Sequence, residues 1–110
     1  MNIQIIGTKK CKDTQKAERF FKERAIKYQF VDLNIRGLST GEINKIKSVL
    51  GLDNIVDKNG KEYTRLNLKY MVHNLEEMLI KHPLLLKTPI VRNGAKVTIG
   101  YNPEIWQTWD

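Results

Sequence analysis

The N-terminal third of the chain has the pattern of a β-α-β unit, and this feature restricts the fold more than any other. Residues 2–6 predict a short strand, and residues 28–33 predict a second one. Between them, Asp13 or Thr14 can begin a helix, because either side chain can accept hydrogen bonds from unpaired amides. An apolar helix face follows at Ala17, Phe20, Phe21 and Ala25. Two strands joined in this way are usually parallel, with a right-handed crossover.

The middle of the chain predicts two further helices. Ser39 and Glu42 fit a capping box, and an apolar stripe ends at Gly51, a plausible C-terminal stop. Asn74 can cap a second helix that Pro83 ends. The stretch between them, residues 52–68, has little periodicity and is left unassigned.

The C-terminal part predicts a β-hairpin and a short helix. Residues 89–92 and 96–99 flank Asn93-Gly94, a strong turn signal because both residues tolerate a positive φ. Arg92, just before this turn, is expected to be exposed to solvent. Asn102 and Pro103 can begin a terminal helix. The order of elements favours an α/β fold, a mixed sheet flanked by helices.

Length and composition indicate a single soluble domain spanning residues 1–110. Hydrophobic residues make up 41% of the chain, and 19 Lys and Arg exceed 12 Asp and Glu, giving a net charge of +7. This charge permits anionic partners, but no helix concentrates it beside aromatic residues, which argues against direct nucleic-acid binding. No signal peptide or membrane-spanning segment is predicted, so we expect a cytoplasmic protein.

Cys11 is the chain's one cysteine and its one candidate nucleophile. It follows the first strand and precedes the first helix, where the helix dipole and free amides stabilise a thiolate. Lys9, Lys10 and Lys12 favour the same ionised form. The alternative is an inert, buried thiol. No second cysteine exists, so a mixed disulfide would need a small thiol, a partner protein or a second chain for its release.

Other polar residues carry weaker signals. Thr14, three residues after Cys11, can donate a hydrogen bond to a thiolate or can serve only as a helix cap. Arg65 can clamp an oxyanion or form a surface ion pair. His73 and His82 are too isolated to predict a metal site, so no metal ligands are assigned.

Several segments, in order and spacing, resemble the ArsC/Spx family of arsenate-reductase-like proteins, which includes YffB-like proteins. They span almost the whole chain: residues 6–11, 16–20, 28–32, 37–39, 63–66, 82–90 and 100–104. The resemblance implies a thioredoxin-like fold, with a mixed four-stranded sheet and a helical insertion between the second strand and the C-terminal hairpin. It also implies a cis peptide bond before Pro89.

Carried over by position, the resemblance implies that Cys11 is the nucleophile and Arg65 an oxyanion ligand. Lys10, Thr14 and Thr88 complete the candidate substrate-binding residues. The implied reductant is glutathione or another small thiol, or a protein of the glutaredoxin or thioredoxin type, with no bound cofactor. Two positions depart from the family: Thr88 replaces the usual arginine before the proline, and Thr14 replaces the second cysteine of Spx proteins. The chain also ends without the C-terminal extension of Spx.

Two functions remain open from the sequence. The first is an arsenate-reductase-like thiol oxidoreductase that uses Cys11 and an external thiol. The second is an Spx-like regulator that binds RNA polymerase without catalysis. The missing arginine weighs against arsenate as substrate, and the missing second cysteine weighs against redox sensing.

Overall fold

A computed structural model describes residues 1–70 and 74–109 of the chain, so His73 lies outside the described residues. The first two strands, β1 (Ile3–Gly7) and β2 (Tyr28–Asp32), are parallel. The other two, β3 (Ile90–Asn93) and β4 (Lys96–Ile99), form an antiparallel hairpin. Because β3 also pairs with β1 in antiparallel register, the strands form one mixed sheet in the order β2-β1-β3-β4. The predicted mixed four-stranded sheet is therefore confirmed.

Helices cover both faces of this sheet. The structure describes six α-helices: α1 (Lys12–Glu23), α2 (Thr40–Leu50), α3 (Leu52–Ile55), α4 (Lys61–Arg65), α5 (Leu75–Lys81) and α6 (Pro103–Trp106). Two short 3-10 turns, Leu68–Tyr70 and Pro83–Leu85, accompany them. Helices α2 to α5 lie between β2 and β3 in the chain, which confirms the predicted helical insertion. None of the helices in the described part of the chain is long and apolar enough to cross a membrane.

The sheet separates two apolar clusters because successive strand residues point to opposite faces. On one face, Ile3 and Ile5 pack with Phe20 and Phe21 of α1 and with Trp106 of α6. On the other face, the cluster combines strand residues with the inserted helices: Ile6, Val31, Ile90, Ile43, Ile46 and Leu79. The alternating apolar residues of β1 therefore pack against α1 on one face of the sheet and against the inserted helices on the other.

Two predicted helix starts are confirmed in atomic detail. The hydroxyl of Ser39 accepts the backbone N–H of Glu42, whose carboxylate accepts the backbone N–H of Ser39, which completes the capping box. Asn74 Oδ1 accepts the backbone N–H of Glu77 and caps α5. Gly51 ends α2 with a φ of 88°, a conformation that glycine adopts without strain.

Helix α1 is shorter than its apolar pattern predicts. Ala25 was expected on its buried face, but the helix ends at Glu23 and Ala25 is exposed with a φ of 56°. The backbone N–H of Ala25 donates to Lys22 and that of Ile26 donates to Phe21, which is the hydrogen-bond pattern of a left-handed helix cap. Tertiary packing of Ile26 against the sheet thus overrides the helical spacing.

The hairpin turn is shifted by one residue from its prediction. Asn93 is the last residue of β3 and pairs with Lys96, so the two turn residues are Gly94 and Ala95, with Gly94 at a φ of 60°. The expected exposure of Arg92 is also wrong. It is partly buried, because it lies on the face of β3 that α2 covers.

Candidate active site around Cys11

Cys11 is the residue that begins helix α1. Its backbone is extended, with φ −73° and ψ 119°, and its carbonyl oxygen accepts the N–H of Gln15. The Cys11 N–H donates to the carbonyl oxygen of Thr8, which closes the loop after β1. The thiol is therefore held, partly buried, at the junction of a strand end and a helix N-terminus.

A second segment, far along the chain, completes the surroundings of the thiol. Thr88 Oγ1 donates a hydrogen bond to Cys11 Sγ at 3.2 Å, and Sγ lies 3.8 Å from the Thr88 carbonyl oxygen, to which the neutral thiol can donate. The Thr88–Pro89 peptide bond is cis. Thr88 precedes β3, which is paired with β1, so the sheet itself places the two segments side by side.

The environment lowers the pKa of Cys11 below its ordinary value. Burial acts in the opposite direction and raises the pKa, but four contacts outweigh it. They come from the side chains of Thr14 and Thr88 and from the backbone N–H groups of Thr14 and Asp13. The flanking lysines are exposed and are not among the contacts that shift this pKa. Hydroxyls and helix amides therefore favour the thiolate here, as the helix position predicts.

Thr14 is fully buried under the loop that carries Cys11. Its Oγ1 makes no hydrogen bond of ordinary geometry among the described residues, although it lies close enough to the thiol to lower its pKa. A donor left free in this way is available to a negatively charged sulfur. Gly7 makes room for Thr14, because a Cβ atom at Gly7 would collide with the threonine side chain.

Lys10 and Thr88 both line a cleft of about 410 Å³ beside the thiol. The lining also includes Asp57, Lys61 and Glu62 from the insertion. These three residues were not singled out from the sequence, because the stretch from 52 to 68 has no clear periodicity. Only folding brings it to the edge of the cysteine loop. The cleft thus offers both cations and carboxylates to a substrate that reaches Thr88.

Comparison with known proteins assigns the chain to a family. The sequence profile of the ArsC family matches residues 6–109, which is almost the whole chain. This chain belongs to the ArsC family. The global transcriptional regulator Spx 2 of Oceanobacillus iheyensis is 30% identical over 109 residues, which cover 94% of this chain and 80% of that relative. An uncharacterised protein of Haemophilus influenzae is 24% identical over 110 residues, with 96% of each chain covered.

Solved structures confirm the thioredoxin-like ArsC fold. An ArsC-family-related protein from Bacteroides fragilis superposes with a TM-score of 0.84 at 21% identity and covers 100% of this chain and 98% of its own. An arsenate reductase from Vibrio cholerae superposes with a TM-score of 0.81 at 22% identity and covers 96% and 94%. At these identities the agreement concerns the fold.

In this ArsC-family chain, Arg65 does not face the cysteine cleft. It lies at the end of α4, largely exposed, and its Nε donates to Glu62 Oε1 at 2.7 Å. With Asn59 and Thr64 it lines an adjoining depression, which shares Gly60 and Lys61 with the cleft. The structure therefore brings Lys10, Thr14 and Thr88 to the cysteine loop and holds Arg65 in an ion pair on the adjacent helix. Within the ranges 1–70 and 74–109, no group of three or more His, Cys, Asp or Glu residues could hold a metal ion.

Proposed function

We propose that this ArsC-family chain is a thiol-disulfide oxidoreductase with Cys11 as its single nucleophile and an external thiol as its reductant. The observation that carries this proposal is the lowered pKa of Cys11, caused by hydroxyl and amide donors that converge on Sγ and outweigh its burial. Shifted pKa values of this kind cluster at functional sites, where a nucleophile must be ionised near neutral pH. A reducing compartment such as the cytoplasm would keep this lone thiol available.

The reaction takes two balanced exchange steps. The Cys11 thiolate attacks one sulfur of a substrate disulfide, a new bond forms between Sγ and that sulfur, and the other sulfur leaves as a thiolate that solvent protonates. An external thiolate, from glutathione or from a glutaredoxin- or thioredoxin-type protein, then attacks the sulfur bonded to Cys11. That attack releases the substrate half bonded to Cys11 as a disulfide with the external thiol and returns the electron pair to Sγ. The reduced product is the thiol that left in the first step.

Each residue near the thiol has a defined task in these steps. Thr88 Oγ1 and the amides of the first turn of α1 stabilise negative charge on Sγ before attack and again when Cys11 leaves. Lys10, at the rim of the cleft that Thr88 also lines, offers a positive charge to the incoming substrate.

Disulfides suit this site better than arsenate does. A threonine hydroxyl offers one hydrogen-bond donor, whereas the family arginine offers a positive charge and two parallel donors. An oxyanion at this position therefore loses its strongest partner. Arg65 is already paired with Glu62 through Nε, so an oxyanion would meet a guanidinium whose charge is partly compensated. Arg65 as an oxyanion ligand predicts that Arg65→Gln lowers arsenate reduction and leaves disulfide exchange unchanged.

A turnover assay tests the proposal. The purified protein is given the mixed disulfide of cysteine and glutathione with excess glutathione, and oxidised glutathione is measured beside a matched reaction with arsenate. We expect turnover of the disulfide, its loss in Cys11→Ser, and no change in Thr108→Ala, a surface threonine that bonds only its own helix end. Mass spectrometry should detect a mixed disulfide on Cys11. Absence of both turnover and this adduct would refute the enzyme.

A second candidate is an Spx-like regulator that binds RNA polymerase without catalysis. Two observations favour it: the 30% identity to a protein named as a global transcriptional regulator, and a surplus of seven positive charges that suits an acidic protein surface. Position 14, where Spx proteins usually carry a second cysteine, is threonine, so any binding would not depend on an internal disulfide.

Purified polymerase separates the two candidates. Binding measured by surface plasmon resonance, with the same affinity for wild type and Cys11→Ser, supports the regulator. Disulfide turnover without polymerase binding supports the enzyme.

A further inference from the structure

Arg92 occupies a strand position where an apolar side chain is expected. Side chains alternate along β3, so Arg92 points to the same face as Ile90, the face covered by α2. Its Nη1 donates to Gln4 Oε1 at 3.1 Å, and its Nε is buried without a partner among the described residues. None of the ion pairs in the described part of the chain includes it. A partly buried guanidinium without a counter-ion is costly, and a hydrophobic residue would pack there more favourably.

This arginine lines a cavity of about 490 Å³ between α2 and the β3–β4 hairpin. Lys45 contributes a second cation from α2 and, like Arg92, has no ion pair within the described ranges. Val49 and Val97 add apolar surface, and Val49 is 53% exposed. The residues that line the cavity include no aspartate or glutamate. A volume of this size with a few convergent polar groups is typical of small-molecule sites.

The cavity lies at the opposite end of the sheet from the cysteine. Asn2, which precedes β1, is part of its wall, whereas Cys11 follows the other end of the same strand. The five residues of β1 separate the two sites by roughly 15 Å, at about 3.3 Å for each residue. The charge also differs, since the cleft beside Cys11 contains carboxylates as well as lysines.

We propose that this cavity binds a small organic anion with an apolar body. A carboxylate or phosphate group would contact the uncompensated charges of Arg92 and Lys45, and hydrocarbon would cover Val49 and Val97. The ligand supplies the counter-ion that the chain lacks, which accounts for a cation at a core-facing position of a central strand. This proposal is independent of the chemistry at Cys11.

Titration with hexanoate, followed by amide and arginine side-chain NMR, tests the site. Hexan-1-ol has the same hydrocarbon tail as hexanoate but no charge, and inorganic phosphate has the charge but no hydrocarbon tail. We expect hexanoate to shift the signals of Gly94, Ala95 and Arg92 Nε–H in a saturable manner. Hexan-1-ol should shift the same signals much less. If neither hexanoate nor phosphate gives saturable shifts, the proposal is wrong. Shifts by phosphate alone would overturn the apolar part of the ligand.

Substitutions at the two cations test whether they bind the carboxylate of hexanoate. Loss of one charged hydrogen-bond partner should weaken hexanoate binding about tenfold. We expect this loss in Lys45→Gln, which is on the surface and leaves folding intact, and in Arg92→Gln, with partial recovery in Arg92→Lys. Lys27→Gln removes the same charge from an exposed position elsewhere and should bind as the wild type does. Equal affinity in all four variants would mean nonspecific uptake and would overturn the site.

Discussion

The side chains of Thr88 and Cys11 are hydrogen bonded although 77 positions separate them in the chain. Oγ1 donates to Sγ at 3.2 Å, and the neutral thiol can donate to the carbonyl oxygen of the same threonine at 3.8 Å. Ionisation removes the thiol proton and leaves the hydroxyl as donor to a negative sulfur, which strengthens that hydrogen bond. One residue therefore contacts both protonation states, and its hydroxyl favours the thiolate.

Replacing the Thr88 hydroxyl should make the thiol less reactive at neutral pH. In Thr88→Ala the thiolate loses a donor, so the pKa of Cys11 rises and its alkylation at pH 7 slows severalfold, as expected for a charged hydrogen bond of about 1.5 kcal/mol or more. Thr88→Ser keeps the hydroxyl and should behave as wild type. The rate of iodoacetamide alkylation as a function of pH measures both, and an unchanged midpoint in Thr88→Ala would remove Thr88 from this role.

The lowered pKa of Cys11 also predicts how folding stability varies with pH. The folded state binds the thiol proton more weakly than the unfolded state does, in which the thiol has its ordinary pKa of 9.0. The stabilisation is therefore fully present above pH 9.0 and is lost as the pH falls through the folded-state pKa. Urea unfolding of the reduced protein should show wild type gaining stability over Cys11→Ser as the pH rises. A difference between the two proteins that stays constant with pH would contradict this.

Gly7 leaves space for the side chain of Thr14. A methyl group at position 7 should therefore displace Thr14 and disturb the surroundings of Cys11. A Cβ at Gly7 would lie 2.8 Å from Thr14 Cγ2, too close for either atom to stay in place. We expect Gly7→Ala to destabilise the fold by about 1 to 3 kcal/mol, as overpacking does. It should also raise the pKa of Cys11, since Thr14 moves. The double variant Gly7→Ala with Thr14→Ala removes both clashing atoms, Oγ1 and Cγ2, and should recover part of the lost stability.

Tyr28 should titrate unusually late. Burial and a 2.8 Å hydrogen bond to Glu18 raise the pKa of its hydroxyl to about 12. The neutral phenol thus stabilises the fold fully below pH 10.0, and this contribution is lost as the pH rises through about 12. Tyrosinate absorbance should show one of the four tyrosines ionising in that range, and Tyr28→Phe should remove that phase. If the late absorbance phase persists in Tyr28→Phe, that phase belongs to another tyrosine.

The left-handed backbone of Ala25 predicts a stabilising substitution. Ala25 has a φ of 56°, which costs an L-residue roughly 1 kcal/mol and costs glycine little. We expect Ala25→Gly to raise the free energy of unfolding by about that amount. Ala17→Gly, inside the same helix and fully buried, should lower it by more than the helix-propensity cost of about 1 kcal/mol, because a packed methyl group is lost as well. Thermal unfolding of the two variants compares them directly, and destabilisation by both would show that Ala25 belongs to the helix.

The parts of the fold that local physics controls were predictable from the sequence. The strand at residues 2–6, the capping box at Ser39 and the cap at Asn74 depend on neighbours within a few positions, and all three are present. Cys11 was placed correctly before a helix for the same reason, but the prediction that Asp13 or Thr14 begins that helix was wrong. The helix starts at Lys12, with no side-chain cap. The unassigned stretch from 52 to 68 forms short helices stabilised by contacts to the rest of the insertion, which periodicity alone does not encode.

The sequence by itself determined the β-α-β start, the single thiol and its position before a helix, because these features depend on spacing along the chain. Only the tertiary structure decided which residues lie around that thiol. Sheet pairing of β1 with β3 brings Thr88 to Sγ, and packing against α2 places Arg92 beside a cavity without a counter-ion. Hydrogen bonds and uncompensated charge act through space over a few ångströms, so partners separated by tens of residues become visible only in the folded chain.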